Sequence, residues 1–246
     1  MTTRKSLVLA VALIFAALTP INGVSKTITI AVIDTGIDGD SIHKLCKQGH
    51  KSFVDNNPLK DEVGHGTHIA GLISKWAGKG DYCIVSIKWY RKDLEGSASI
   101  DNMRRAIQYA NNINATFINL SGGGTSPNSL EKEVIERAID KGITIVAAAG
   151  NNSSSLDYNC DFYPACYDSR IVVVGNLNKN LKTEFSSNYG KYVKKWEVGT
   201  DVVSNLPNNR LGSMTGTSQA TAIATGKMVH RELVPLRLSQ RQVKYR

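Results

Sequence analysis

The chain of 246 residues is most informative first in what it does not contain. It has four cysteines and no C-x-x-C pair, so their spacing does not argue for zinc. No H-E-x-x-H run is present, which removes the usual helical zinc site of metalloproteases. The triple glycine at 122–124 lacks G-x-G-x-x-G spacing, and Gly78-Lys79 is followed by glycine rather than Ser or Thr, so no phosphate-cradling loop is expected. No G-x-S-x-G elbow surrounds any serine of interest, which disfavours an esterase or lipase. No internal repeat and no low-complexity linker divides the chain, and a single domain over 24–246 is expected.

Long apolar runs are also scarce. The one at Ser6–Leu18 falls short of the roughly 20 residues that a bilayer-spanning helix needs. It follows the basic start "MTTRK" and precedes the small residues of "TPINGVS", the pattern of an export signal over 1–23. Removing that segment lowers the net charge from +9 to +7. The remaining cations are dispersed and form no recognisable nucleic-acid module, so no nucleic-acid partner is expected. Five of them, Arg231, Arg237, Arg241, Lys244 and Arg246, fall in a C-terminal tail at 231–246 that reads as solvated and partly disordered. In an exported chain Cys46, Cys83, Cys160 and Cys166 suggest disulfides; of three possible connectivities we prefer Cys160 with Cys166, around "DFYPA", and hence Cys46 with Cys83.

What the chain does contain is a series of short runs rich in β-branched and apolar residues: "TITIAVI" (27–33), "YCIVSIKWY" (82–90), "ATFINLS" (115–121), "ITIVAAAG" (143–150) and "IVVVG" (171–175). Continuous apolarity suits strands buried on both faces of a parallel sheet. Between them Ile100, Met103, Ile107 and Ala110 recur at helical spacing, as do Leu130, Val134, Ala138 and Ile139, opened by Asn128 with Glu131 three later and closed by Gly142. Alternating strand and helix predicts an α/β fold: three layers around a doubly wound, mostly parallel sheet. The stretch Leu177–Leu211 is polar and assigns to no element, and Pro235 is expected to limit the helix that follows Ser218.

Four motifs carry chemistry. Asp34 in "VIDTGID" ends the first strand, where ligand sites of such sheets form. Alone it could be a turn cap, a metal ligand or a phosphoryl acceptor, although for the last a second Asp two residues on is missing. His65 and His68 share "GHGTHIAG", where three-residue spacing would allow a metal pair but no Glu accompanies them. Ser218 opens the run "GTSQATA"; by itself such a serine is usually a helix cap. Asn151 follows "AAAG", beside the confounding Asn152.

Together, in the order Asp34, His65, Ser218, these motifs resemble the subtilisin-like serine peptidases, over about Thr27–Met228. The resemblance implies Ser218 as nucleophile, His65 as base and Asp34 as its orienting acid, with Asn151 as an oxyanion donor and His68 structural. It implies substrate-binding edges at Ser121, Gly122 and Gly123 and at Gly96, Ser97 and Ala98. A polypeptide is the implied partner of an exported monomer, secreted or periplasmic, without stable membrane insertion once the signal is removed. No cofactor is implied, and no metal, since the helix after His65 lacks the insertion that builds a calcium site in many relatives. Three departures stand out: Ala222 where relatives carry proline, Glu197-Val198-Gly199 where they carry Ala-Pro-Gly, and about ten residues between the signal and Asp34, too few for a prodomain. A binding protein on the same fold that no longer cleaves is the alternative; retention of all four positions weighs against it.

Overall fold

The computed structural model describes residues 27–93, 97–157 and 160–243, with the backbone alone at 97, 98 and 235–243. The expected signal segment at 1–23 and Gly96 lie outside the described residues. The first strand, β1 (Ile28–Asp34), is followed by the short β2 (Lys51–Ser52), helix α1 (His65–Ala77), β3 (Tyr82–Lys88) and α2 (Ser97–Asn112). Then come β4 (Phe117–Leu120), α3 (Ser129–Asp140), β5 (Thr144–Ala148), β6 (Val172–Leu177) and β7 (Lys195–Val198). A hairpin of β8 (Val202–Leu206) and β9 (Arg210–Met214) precedes the long α4 (Thr217–Val243).

Seven strands form one parallel sheet in the order β2-β3-β1-β4-β5-β6-β7, while β8 and β9 pair antiparallel on their own. Successive residues of a strand face opposite sides. Accordingly Ala31 and Ile33 join the core beneath α2 and α3, with Met103, Ile107, Val134 and Ile135. Ile28, Ile30 and Val32 join the core beneath α1 and α4, with Ile69, Leu72, Ile73 and Ile223. The three-layer doubly wound architecture expected from the sequence is therefore present. Strand order reverses between β1 and β4, so a crevice opens at their carboxyl ends. Among the described residues no helix is long and apolar enough to cross a membrane.

Two local readings differ from the structure. In α3, Leu130 is 57% exposed and Glu131 is 5% exposed, because the Tyr167 hydroxyl draws the Glu131 carboxylate inward. The helix after Ser218 is not cut short at Pro235 but continues to Val243. An interior proline withdraws one backbone donor and crowds the carbonyl four residues back, a cost that α4 bears without ending.

The structure joins Cys46 to Cys83 and Cys160 to Cys166. Cys46 donates its N–H to the Ile84 carbonyl, which fixes the segment after β1 alongside β3. Loop-closure entropy rises with the residues enclosed, here separations of 37 and 6. Replacing Cys46 and Cys83 together by alanine should cost about 4 kcal/mol and replacing Cys160 and Cys166 about 2 kcal/mol. Denaturant unfolding of both double variants measures this; an equal or larger loss at Cys160–Cys166 contradicts the ranking.

Candidate active site

Asp34 is the last residue of β1, buried at the crevice, and its Oδ1 accepts hydrogen bonds from the Thr35 N–H (2.8 Å) and from His65 Nδ1 (2.7 Å). A carboxylate only accepts, so Nδ1 carries the proton and Nε2 of a neutral His65 keeps its lone pair for other chemistry. His65 opens α1 and leaves 27% of its side chain exposed. Burial pulls its pKa down, but the charge and hydrogen bond of Asp34, aided by the charge of Asp61, outweigh that and raise it above the ordinary 6.5. The approach is close: a Cβ on Gly66 would lie 2.0 Å from the Gly36 carbonyl oxygen and 3.1 Å from Asp34 Cβ. Only glycine permits α1 to start there.

Ser218 lies in the first turn of α4, where backbone N–H groups lack intrahelical acceptors and the helix dipole favours negative charge. Its hydroxyl donates to the Ser121 carbonyl at 2.7 Å, and no hydrogen bond joins it to His65. The Ser121 hydroxyl returns a bond to the Ser218 carbonyl (3.2 Å) and accepts one from Asn119 Nδ2 (2.9 Å), so the end of β4 and the start of α4 are laced together. Asn151 follows β5 and Gly150. Its Oδ1 accepts from both the N–H and the hydroxyl of Thr217, each at 3.0 Å. Two donors fix the amide orientation and leave Nδ2 as a free donor beside the start of α4. Asn152 instead donates its backbone N–H to Asn188 Oδ1, a loop contact.

The departures at Glu197-Val198-Gly199 and Ala222 are absorbed locally. Gly199 donates to Asn176 Oδ1 (2.8 Å) and accepts from the Gly216 N–H (3.1 Å), which holds the segment before Ser218. Ala222 is buried within α4. His68 does not face His65: its Nε2 reaches the carbonyls of Val202 and Gly212, both at 3.1 Å, and ties the β8–β9 hairpin to α1. Among the described residues no group of three or more His, Cys, Asp or Glu is placed to hold a metal ion. The turn between α1 and β3 offers one carboxylate, Asp81, and that is engaged by the Thr27 hydroxyl, so the residues there do not fit a calcium site.

Ser121, Gly122 and Gly123 line a cavity of about 320 Å³ with Asp34, His65 and Trp89. A Cβ on Gly122 would meet the Trp89 indole at 2.9 Å, so the segment stays flat against the ring. Ser97 and Ala98 begin α2.

One residue of the site had no motif to mark it. Asp61, 5% exposed, accepts five hydrogen bonds: from the Thr35 hydroxyl, the Val63 and Gly64 N–H groups, and the N–H and hydroxyl of Thr67. The Thr35 hydroxyl in turn accepts from the Gly66 N–H (3.0 Å). The N-cap of α1 is Gly64, which has no side chain to offer, and Asp61 does its work from three residues upstream. The available signal was an acid just before a helix start.

A family model described as "Subtilase family" matches residues 25–245. The chain is similar to subtilisin amylosacchariticus of Bacillus subtilis subsp. amylosacchariticus, 35% identical over 208 residues, covering 82% of this chain and 54% of that one. It is similar also to a subtilisin of Bacillus pumilus, 34% identical over 210 residues, with 82% and 75% covered. The chain thus spans about half the length of several curated relatives it matches. Among solved structures, a cold adapted subtilisin-like serine proteinase is 27% identical with a TM-score of 0.70, over 83% of this chain and 76% of that one.

Asp61→Ala strands several buried donors at once. It should lower stability by at least about 3 kcal/mol, because hydrogen bonds to a charged group are each worth roughly 1.5 to 3. Asp61→Asn should recover only part of this, since its amide nitrogen would face N–H and hydroxyl donors. Urea unfolding of both variants measures it; a loss below about 1 kcal/mol for Asp61→Ala would contradict the role.

Proposed function

The chain belongs to the subtilase family, and on that premise we propose that it is an exported serine endopeptidase using Ser218, His65 and Asp34, with Asn151 and the Ser218 N–H stabilising the oxyanion. The observation that supports the reading is the 2.7 Å bond from His65 Nδ1 to Asp34, which leaves the Nε2 lone pair available for proton transfer. The Ser218 hydroxyl leaves the Ser121 carbonyl, gives its proton to His65 Nε2 and attacks the scissile carbonyl. His65 then passes that proton to the leaving amine, and water repeats the cycle on the acyl-enzyme. Asp34 keeps its charge throughout and stabilises the imidazolium.

Negative charge developing on the carbonyl oxygen meets Asn151 Nδ2, freed for it by the Thr217 contacts, and the N-terminus of α4. An extended peptide is the substrate that fits a groove edged by Ser121–Gly123 backbone, since main-chain pairing supplies affinity with little demand on sequence. The two disulfides support an oxidising compartment, hence export, secreted or periplasmic. A monomer suffices for this chemistry.

Kinetics of peptide hydrolysis test the reading. Only neutral His65 accepts a proton, and its pKa is raised, so kcat/KM should climb with pH through a midpoint above 6.5. Asn151→Ala should lower kcat roughly 100- to 1,000-fold with KM nearly unchanged, as a donor that acts in the transition state alone. Absence of hydrolysis, a midpoint at or below 6.5, or a small effect at Asn151 would contradict it.

A further inference from the structure

A second cavity, of about 200 Å³, lies next to the site and shares Trp89 and Gly123 with the first. One side is apolar, from Trp89, Ile100 and Met103; Ser99, Thr125, Ser126 and Tyr163 add hydroxyls, and Glu131 is its one charged group. This carboxylate is almost fully buried, yet its neighbours satisfy half of it. Oε2 accepts from the Tyr167 hydroxyl at 2.8 Å, and that hydroxyl accepts from the Asn128 N–H at 2.7 Å, which closes the N-terminus of α3 by relay. Oε1 has no hydrogen-bond partner among the described residues, and no described lysine or arginine forms an ion pair with Glu131. Its sequence neighbour Lys132 pairs with Glu136 instead.

A buried carboxylate without a counter-ion is costly and holds its charge poorly; burial indeed pushes the Glu131 carboxyl above its ordinary value. A helix cap alone does not explain a nearly buried glutamate that lines a cavity beside the site with one of its two oxygens unpartnered. We propose that this cavity is a specificity pocket for a lysine or arginine side chain of the bound peptide, with Glu131 as the counter-ion. The cavity matches both parts of such a side chain: the methylene stem lies along Ile100 and Met103, and the charged head meets Glu131 with the Trp89 ring beside it. Because both cavities share Gly123 and Trp89, one extended peptide along Ser121–Gly124 reaches both. The inference rests on the peptidase reading for its ligand class, but its test does not require cleavage.

The Ser218→Ala protein is titrated with fluorescent alanine-based decapeptides in which one lysine, or one norleucine of similar length, is walked along the chain. At one position lysine should bind at least about tenfold tighter than norleucine, the scale of a desolvated charge pair. Adding Glu131→Gln, which keeps an oxygen for Tyr167, should abolish that preference and leave norleucine binding unchanged. Tyr167→Phe, which retains the carboxylate, should preserve the preference. No lysine preference at any position, a preference that survives Glu131→Gln, or no peptide binding at all would overturn the pocket assignment. Cleavage by the unsubstituted protein is scored separately. Cleavage without a Glu131-dependent preference defeats the pocket alone, whereas Glu131-dependent binding without cleavage defeats the peptidase reading alone.

Discussion

The contact between His65 and Asp34 requires the first turn of α1 to begin against the end of β1, and most of the surrounding structure serves that approach. The two elements are joined by a loop of thirty residues, so nothing in the local chain enforces it. Gly66 allows it sterically, with no side chain to strike the Gly36 carbonyl. Asp61 enforces it electrostatically: one buried carboxylate holds Thr35 at the strand end and Thr67 in the helix. The same loop is anchored further out by Lys88, at the end of β3, which reaches Asp55 and Glu62 at 2.6 and 2.7 Å. Burial lowers the Lys88 pKa, and its two carboxylate partners more than reverse that, so the ammonium keeps its charge inside the protein.

Set around this clasp, the remaining groups arrive from different strand ends, as the doubly wound topology allows. Ser121 follows β4 and Asn151 follows β5, while α4 brings Ser218 back from the far end of the chain to meet them. Preorganisation is the common theme. Asn151 is held by Thr217 and Ser121 by Asn119 and Ser218, so donors and backbone edges are in place before a ligand arrives. The exception is the Ser218 hydroxyl, parked on the Ser121 carbonyl. Hydrogen bonds of this kind commonly tighten into their working arrangement only when substrate is bound.

How much of this could be read from the chain depended on whether a residue's signal was local. Strands buried on both faces announce themselves as unbroken apolar runs, and β1, β3, β4, β5 and β6 were legible for that reason. The two-residue β2, β7 with its sequence Lys-Trp-Glu-Val, and the half-exposed β8 and β9 carry no such run, and their places are set by partners distant in sequence. Asp34, His65, Asn151 and Ser218 stood out through their glycine-punctuated motifs, although motifs do not reveal that Ser218 rests on Ser121. Asp61 sits in no motif, and the helix-start motif that holds Glu131 says nothing of the cavity beside it. Each is defined by what converges on it in space, five donors in one case and a cavity in the other. Leu130 looked like a core residue and Glu131 only like part of a helix start because helical spacing cannot register the pull of Tyr167 from 36 residues away.

The central claim, that Ser218 is a nucleophile activated through His65 and Asp34, is tested most directly by phosphonylation with a fluorophosphonate. An ordinary serine is inert to such a reagent, whereas one activated by an adjacent base reacts. Mass mapping should find the adduct on Ser218 alone, with a labelling rate that rises with pH as His65 loses its proton and that collapses in His65→Ala. No adduct at Ser218, or labelling there that is indifferent to His65, would contradict the account.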